Sequence, residues 1–231
     1  MKLDIMRMGT KSSGFVYQKK VIKHGTHDQS THNPHKGGGG GNQSSEYPTS
    51  KSHPELKDAI SDYVVQYPKE VGHTIMNGTL REQQGYDNVT PEYRDDINSR
   101  ITQMDKLVEL SPALTENTTT FRGIGSGFAQ ELREKGIGAK YTDNGFTSVS
   151  LDKDVAGGFP SLPSGNIMEI VLPTGIKAIN PSRFFTSGRI GDTELKREKE
   201  LILGRGTNFE VLSIEDSPYG FGNLFKVGIK Q

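Results

Sequence analysis

Beyond residue 120, five side chains of types that do chemistry stand out, in three short, partly apolar stretches: Arg122, then Ser148 and Ser150, then Glu198 and Glu200. All six histidines lie at or before His73 and cysteine is absent. Triads, Cys-His pairs and His- or Cys-based metal sites are therefore excluded from the region beyond it. Carboxylate, guanidinium, hydroxyl and backbone amide remain, a set suited to binding a phosphate-containing ligand and to stabilising a developing cation. Arg122, in Thr120-Phe121-Arg122-Gly123, is placed to clamp a phosphate bidentately at a strand end; a lone arginine there is equally a surface residue. In Gly145-Phe146-Thr147-Ser148-Val149-Ser150 the two-residue period puts Ser148 and Ser150 on one face, where they can hydrogen-bond a carboxylate or a ribose. A strand beginning near Glu198 would likewise put Glu198, Glu200 and Ile202 on one face, the two carboxylates roughly 7 Å apart. By itself, Lys196-Arg197-Glu198-Lys199-Glu200 is a mixed charge run of the kind found on solvated edges.

The elements that must position these residues change character along the chain. Leu56, Ala59, Ile60, Tyr63, Val64 and Tyr67 recur at helical spacing behind Pro54, which predicts an amphipathic helix. Thr90-Pro91-Glu92 has the form of a helix start, and Ile97, Ile101, Met104, Leu107 and Val108 carry the apolar stripe to a stop before Pro112. After Pro112, short β-rich runs separated by Gly, Pro and Asn take over: Thr118 to Phe121, Phe146 to Val149, Ile167 to Leu172, Leu201 to Leu203, Phe209 to Ile214 and Leu224 to Ile229. Two short helices, about Phe128 to Lys135 and Asp152 to Phe159, interrupt them. Helices followed by a mainly antiparallel β core make an α+β domain.

The N-terminal part is different. Gly14 to Tyr17 is its one extended candidate, and from Lys23 to Ser52 the chain runs to His, Thr, Ser, Asn and Pro with five consecutive glycines, Gly37 to Gly41. That is linker composition. His24, His27, His32 and His35 cluster within it, but the surrounding sequence offers no scaffold to fix imidazoles around a metal. The expected organisation is a flexible His/Gly-rich segment over residues 1–53 and one folded domain over residues 54–231. With 28 Lys+Arg against 28 Asp+Glu, no global field draws the chain to nucleic acid or anionic membrane. No apolar run reaches the length of a membrane span, and a soluble monomer is expected.

Taken in order, the three stretches resemble the Arg–Ser–Glu class of NAD-dependent mono-ADP-ribosyltransferases. The matching residues are Phe121-Arg122-Gly123, Phe146-Thr147-Ser148-Val149-Ser150 and Glu198-Lys199-Glu200-Leu201-Ile202-Leu203. The connecting segments are similar too: Ile101 to Lys106 before the first strand, Ser150-Leu151-Asp152 leading into Val155, Ala156 and Phe159, and Ile170 to Ala178 as a middle strand and turn. The resemblance covers about Pro91 to Lys230. Val149 stands where the family usually has Thr, and by alternation it faces away from Ser148 and Ser150. Lys23 to His32 is also similar to a short segment of proteins associated with tailed-phage heads, which would imply packaging in a virion and action in a bacterial host's cytoplasm.

The resemblance implies a mainly antiparallel β core of two small sheets with N-terminal helices, and transfer of ADP-ribose from NAD to a protein arginine with release of nicotinamide. NAD is a substrate, and no metal is implied. Glu200 would face the ribosyl cation and hold the ribose 2′-hydroxyl, and Arg122 would anchor the NAD phosphates together with Gly123. Ser148 would position Glu200 and the nicotinamide ribose, with Ser150 also on the NAD side, and Glu198 would mark arginine as acceptor. Two other readings stand beside this one. Gly123-Ile124-Gly125-Ser126-Gly127 would be a dinucleotide-binding turn, although Phe128 occupies the third glycine's place. Alternatively the chain would be a non-catalytic virion or interaction protein with a degenerate transferase domain.

Overall fold

The computed structural model describes residues 47–64, 72–83, 90–157, 165–185, 192–219 and 221–230. The His cluster, the glycine run, the Gly14 to Tyr17 strand, Tyr67 and Phe159 lie outside the described residues.

Three helices come first. A 3-10 turn at Pro54–Leu56 runs into α1 (Lys57–Val64), and α2 (His73–Leu80) and α3 (Pro91–Leu110) follow. The apolar stripe read from the sequence is the buried one: Leu56, Ala59, Ile60 and Tyr63 pack with Ile97, Ile101, Met104 and Leu107. Pro91 occupies the first turn of α3 as expected, whereas Thr90 makes no side-chain capping bond. The sequence reading has no counterpart of α2. Its only large apolar residues are Ile75, Met76 and Leu80, too few to draw a stripe.

The remaining elements are β1 (Thr118–Gly123), α4 (Ser126–Lys135), β2 (Lys140–Asp143), β3 (Thr147–Ser150), α5 (Lys153–Gly157) and β4 (Ile167–Leu172). Then come β5 (Ala178–Ile179), α6 (Pro181–Phe184), α7 (Asp192–Glu198), β6 (Glu200–Leu203), β7 (Thr207–Asp216) and β8 (Asn223–Lys230). The fold class is α+β, as expected. The expected two small sheets are instead one eight-stranded sheet in the order β2-β7-β8-β4-β1-β3-β6-β5. All neighbours are antiparallel except β4 and β8.

One join is thin. β1 and β3 share a single registered pair, Phe121 with Ser150, whereas β1 and β4 share six. Five strands lie on one side of this seam and three on the other. Val149, Leu201 and Leu203 from the three-strand side share one apolar core with Met168, Ile170, Val211, Phe225 and Val227 from the five-strand side. The sheet therefore folds over at the seam and buries one face of each part against the other. The opposite face of the three-strand part, with Phe146, Ile179 and Ile202, packs on the N-terminal helices.

The strand-turn-helix at Gly123 to Gly127 exists, but it is not a dinucleotide-binding βαβ unit. After α4 the chain enters β2, an edge strand paired antiparallel with β7 and four places from β1. Packing also begins before Pro54. The amide of Ser50 donates to Phe184 O at 2.8 Å, and Tyr47 exchanges hydrogen bonds with the backbone of Asn180. The ordered contacts thus extend at least seven residues ahead of the boundary read from composition.

Candidate active site

β1, β3 and β6 are adjacent, so three stretches distant in sequence meet. Ser150 is opposite Phe121 on one side and Glu200 on the other. Paired residues share a face, which puts Ser148 and Ser150 on the Glu200 side while Val149 (3% exposed) turns into the inter-strand core. The hydroxyl that a Thr would bring at 149 would therefore be buried. From β1, Arg122 reaches across the seam, and its Nη1 donates to Ser148 O at 3.0 Å.

Glu200, the first residue of β6, is half-buried. Burial raises its carboxyl to about 7; the nearby Glu198 charge adds to the rise, while the Ser148 hydroxyl and Arg122 oppose it. Desolvation wins because a carboxylate loses more hydration there than one hydroxyl and one guanidinium restore.

Glu198 is not where strand alternation puts it. It ends α7 instead of opening β6, so the two carboxylates do not share a strand face. Between them Lys199 adopts a left-handed conformation, φ +48°, and this corner separates helix from strand. The strand pattern breaks there because Asp192–Glu198 forms α7, anchored by Leu195 in the core beside the N-terminal helices, and leaves only Glu200–Leu203 for pairing with β3. The Ser150 hydroxyl donates to Glu198 O at 2.7 Å and accepts from Asp152 N at 3.0 Å. Gly123 ends β1, one residue past Arg122 and opposite Ile167.

Sequence reading missed the polar support beneath Ser148. The Tyr63 hydroxyl lies 3.3 Å from Ser148 Oγ and 3.2 Å from Phe146 O, and accepts from Asn77 Nδ2 at 3.2 Å. The phenol has one proton, shared between Phe146 O, to which it donates, and Ser148 Oγ; with Glu200 ionised Ser148 donates to that carboxylate, and Tyr63 backs it only when its proton turns from Phe146 O. Burial, followed by the neighbouring Glu200 charge among other influences, raises the Tyr63 phenol above its ordinary value, so it remains a donor. Asn77 also grips the strand entrance, accepting from Phe146 N at 2.8 Å and donating to Phe146 O at 3.2 Å. One turn on, Arg81 makes a bidentate bridge to Asp143 at 2.8 and 2.9 Å. Asp143 in turn accepts from Gly145 N at 3.0 Å and Thr147 Oγ1 at 2.7 Å. Burial alone would raise the Asp143 carboxyl, but Arg81, Arg122 and Thr147 together hold it below the ordinary range. Tyr63 reads as core in the sequence because its ring is core. Only its hydroxyl belongs to the site, and nothing in the periodicity separates the two.

Among the described residues no group of three His, Asp or Glu side chains is placed to hold a metal ion. Solved ADP-ribosylating toxins share the fold. The Clostridium limosum C3 exoenzyme superposes with a TM-score of 0.55 at 20% identity, over 76% of this chain and 85% of that one. C3stau2 from S. aureus, solved with NAD, gives 0.55 at 16% identity over 82% and 90%. Exoenzyme S from Pseudomonas aeruginosa, solved with human 14-3-3 protein beta and carba-NAD, gives 0.51 at 18% identity over 80% and 76%. A comparison with curated protein sequences finds no match. Residues 41–220 match the sequence profile of the ADP-ribosyltransferase exoenzymes, and with most of its length so matched the chain belongs to that family.

Proposed function

We propose that this mono-ADP-ribosyltransferase, which takes ADP-ribose from NAD, transfers it to an arginine side chain of a protein acceptor. The observation that carries the reading is the meeting of Arg122, Ser148 and Glu200 on three neighbouring strands, with a second carboxylate, Glu198, near enough to raise Glu200. The ribose C1′–nicotinamide bond breaks with both electrons leaving on the ring nitrogen, which neutralises the pyridinium charge. Ionised Glu200 holds the ribose 2′-hydroxyl and faces the oxocarbenium-like centre, the charge type that glycosidase carboxylates stabilise. Arg122 anchors the phosphates, its guanidinium fixed by the bond to Ser148 O. An acceptor guanidine nitrogen then attacks C1′ and gives up a proton. An arginine is always protonated in water, so a carboxylate beside the nucleophile must orient it and take that proton. Glu198 is the candidate. The acceptor we favour is a bacterial host protein met in the host cytoplasm; the support is the phage-like stretch Lys23 to His32.

The test is Glu198→Gln. Water needs no help to attack the cation once nicotinamide has gone, so NAD hydrolysis should persist while modification of arginine or agmatine falls steeply. If hydrolysis and transfer fall together, Glu198 supports Glu200 instead, and arginine loses its residue-level warrant. If the unsubstituted protein releases no nicotinamide from NAD, the non-catalytic reading replaces this one.

A further inference from the structure

The backbone between the two glutamates is strained, and the exit of β3 supplies three bonds that hold it. Besides Glu82 at φ +50°, Lys199 at φ +48° is the one described non-glycine residue with positive φ, a conformation that L-residues avoid unless their surroundings impose it. Here they do. Lys199 O accepts from Leu151 N at 3.0 Å, Lys199 Nζ pairs with Asp152 Oδ2 at 3.0 Å, and the preceding carbonyl, Glu198 O, accepts from Ser150 Oγ at 2.7 Å. Ser150 Oγ also accepts from Asp152 N at 3.0 Å, so Ser150, Leu151 and Asp152 form one clamp around the helix-to-strand corner. Glu200 does not need this clamp, because its own place is set by strand pairing with Ser150.

We propose that the left-handed Lys199, held by Ser150, Leu151 and Asp152, is an acceptor-positioning device: it turns the Glu198 carboxylate out of the strand and fixes it beside Glu200 for the incoming nucleophile. The inference rests on the transfer reading above and assigns Lys199 a backbone role, with its exposed side chain serving only as one tether. Strain is retained here because an unstrained residue at 199 would let β6 extend back through Glu198 and place both carboxylates by strand alternation.

Lys199→Gly and Lys199→Val test it. Both remove the ammonium equally, but glycine accepts φ +48° freely whereas a β-branched residue resists it. The ratio of transfer to agmatine over NAD hydrolysis should stay near the unsubstituted value in Lys199→Gly. In Lys199→Val it should fall about tenfold, the scale set by a left-handed penalty on a β-branched residue. A second readout needs only NAD and water. Glu200 is faced by Ser148 from β3, Arg122 from β1, Tyr63 from α1 and Glu198 from α7, and of these only Glu198 is carried on the corner. The acid limb of NAD hydrolysis should therefore move to lower pH in Lys199→Val, as in Glu198→Gln, and stay put in Lys199→Gly. Identical behaviour of the glycine and valine variants overturns the proposal, as does a valine variant that loses hydrolysis and transfer in equal proportion. If the unsubstituted protein modifies no guanidine at all, the arginine reading fails, and the acid-limb comparison still decides the role of the corner.

Discussion

At Glu200 the requirements of folding and of chemistry oppose one another. Burial raises the carboxyl to about 7, above its unfolded value near 4.3. A raised carboxyl contributes stability that is complete below the unfolded value and is lost as pH rises through the folded one, so above pH 7 the folded protein bears the whole cost of ionisation. That cost is on the order of 3 kcal/mol for a rise of this size. Glu200→Gln should therefore melt several degrees higher than the unsubstituted protein at pH 8, with the gap closing towards pH 4. Its NAD hydrolysis should fall about a hundredfold or more, as lost transition-state electrostatics of this kind do. In the unsubstituted enzyme kcat/KM for NAD should decline below about pH 7, where Glu200 takes up a proton. Thermal melts across pH and NAD-hydrolysis profiles check both expectations. A Gln variant with near-normal turnover would remove Glu200 from the chemistry. Arg122, Ser148 and Glu200 stand out in the sequence through the order and spacing of motifs that resemble the Arg–Ser–Glu transferases, and the pairing of β1, β3 and β6 brings them together. The facing of Glu198 is not legible there, since alternation says nothing across a corner that one left-handed residue creates.

α2 and the β2–β3 turn work as a unit, and this is where sequence reading had least to hold. The bonds that tie α2 to the turn, Arg81 to Asp143 and Asn77 to Phe146, span 62 to 69 positions in sequence, so no local pattern announces them. The unit has a tight point. At Gly145 a Cβ would lie 2.8 Å from both Arg81 Nε and Asn77 Oδ1, inside any tolerable contact, and both side chains are committed to hydrogen bonds. Gly145→Ala should therefore break either the Asp143 bridge or the hold on Phe146, destabilising the protein by roughly 1–3 kcal/mol for a buried polar partner left unmatched. Because Ser148 lies three residues on, NAD hydrolysis should fall with it. Urea melts alongside activity at saturating NAD would separate the effects, and an alanine variant as stable and active as the parent would show that the turn carries no such constraint. By contrast, β4 coincides with the run read from sequence, Ile167 to Leu172, because it is an interior strand with five apolar residues in six, Met168, Ile170 and Leu172 together on one buried face. β2 (Lys140–Asp143) escaped notice as an edge strand of KYTD, with one apolar ring in four residues.

Across the whole molecule, composition and packing put the N-terminal boundary in different places. The low-complexity composition runs to Ser52, but Tyr47 bonds the backbone of Asn180, Arg183 lies 5.0 Å over its ring and Ser50 ties to Phe184. A chain starting at Tyr47 should keep the stability and activity of the full protein. One starting at Pro54 should lose roughly 2 kcal/mol from the missing hydrogen bonds and cation–π contact, a fall of several degrees in Tm. Equal melting of the two truncations would show that the contacts at Tyr47 and Ser50 are worth nothing. The seam between β1 and β3 has a different consequence. One registered pair joins a five-strand ladder to a three-strand ladder, and the proposed site straddles the join, with Arg122 on one side and Ser148 and Glu200 on the other. In the proposed binding mode a dinucleotide held from both sides would be a strap across the join with the fewest registered pairs. Since a ligand bound only by the folded protein stabilises it by about 2.7 kcal/mol at a hundred times its Kd, saturating NAD should raise the melting temperature and slow proteolysis, and a substitution at Arg122 should blunt both effects.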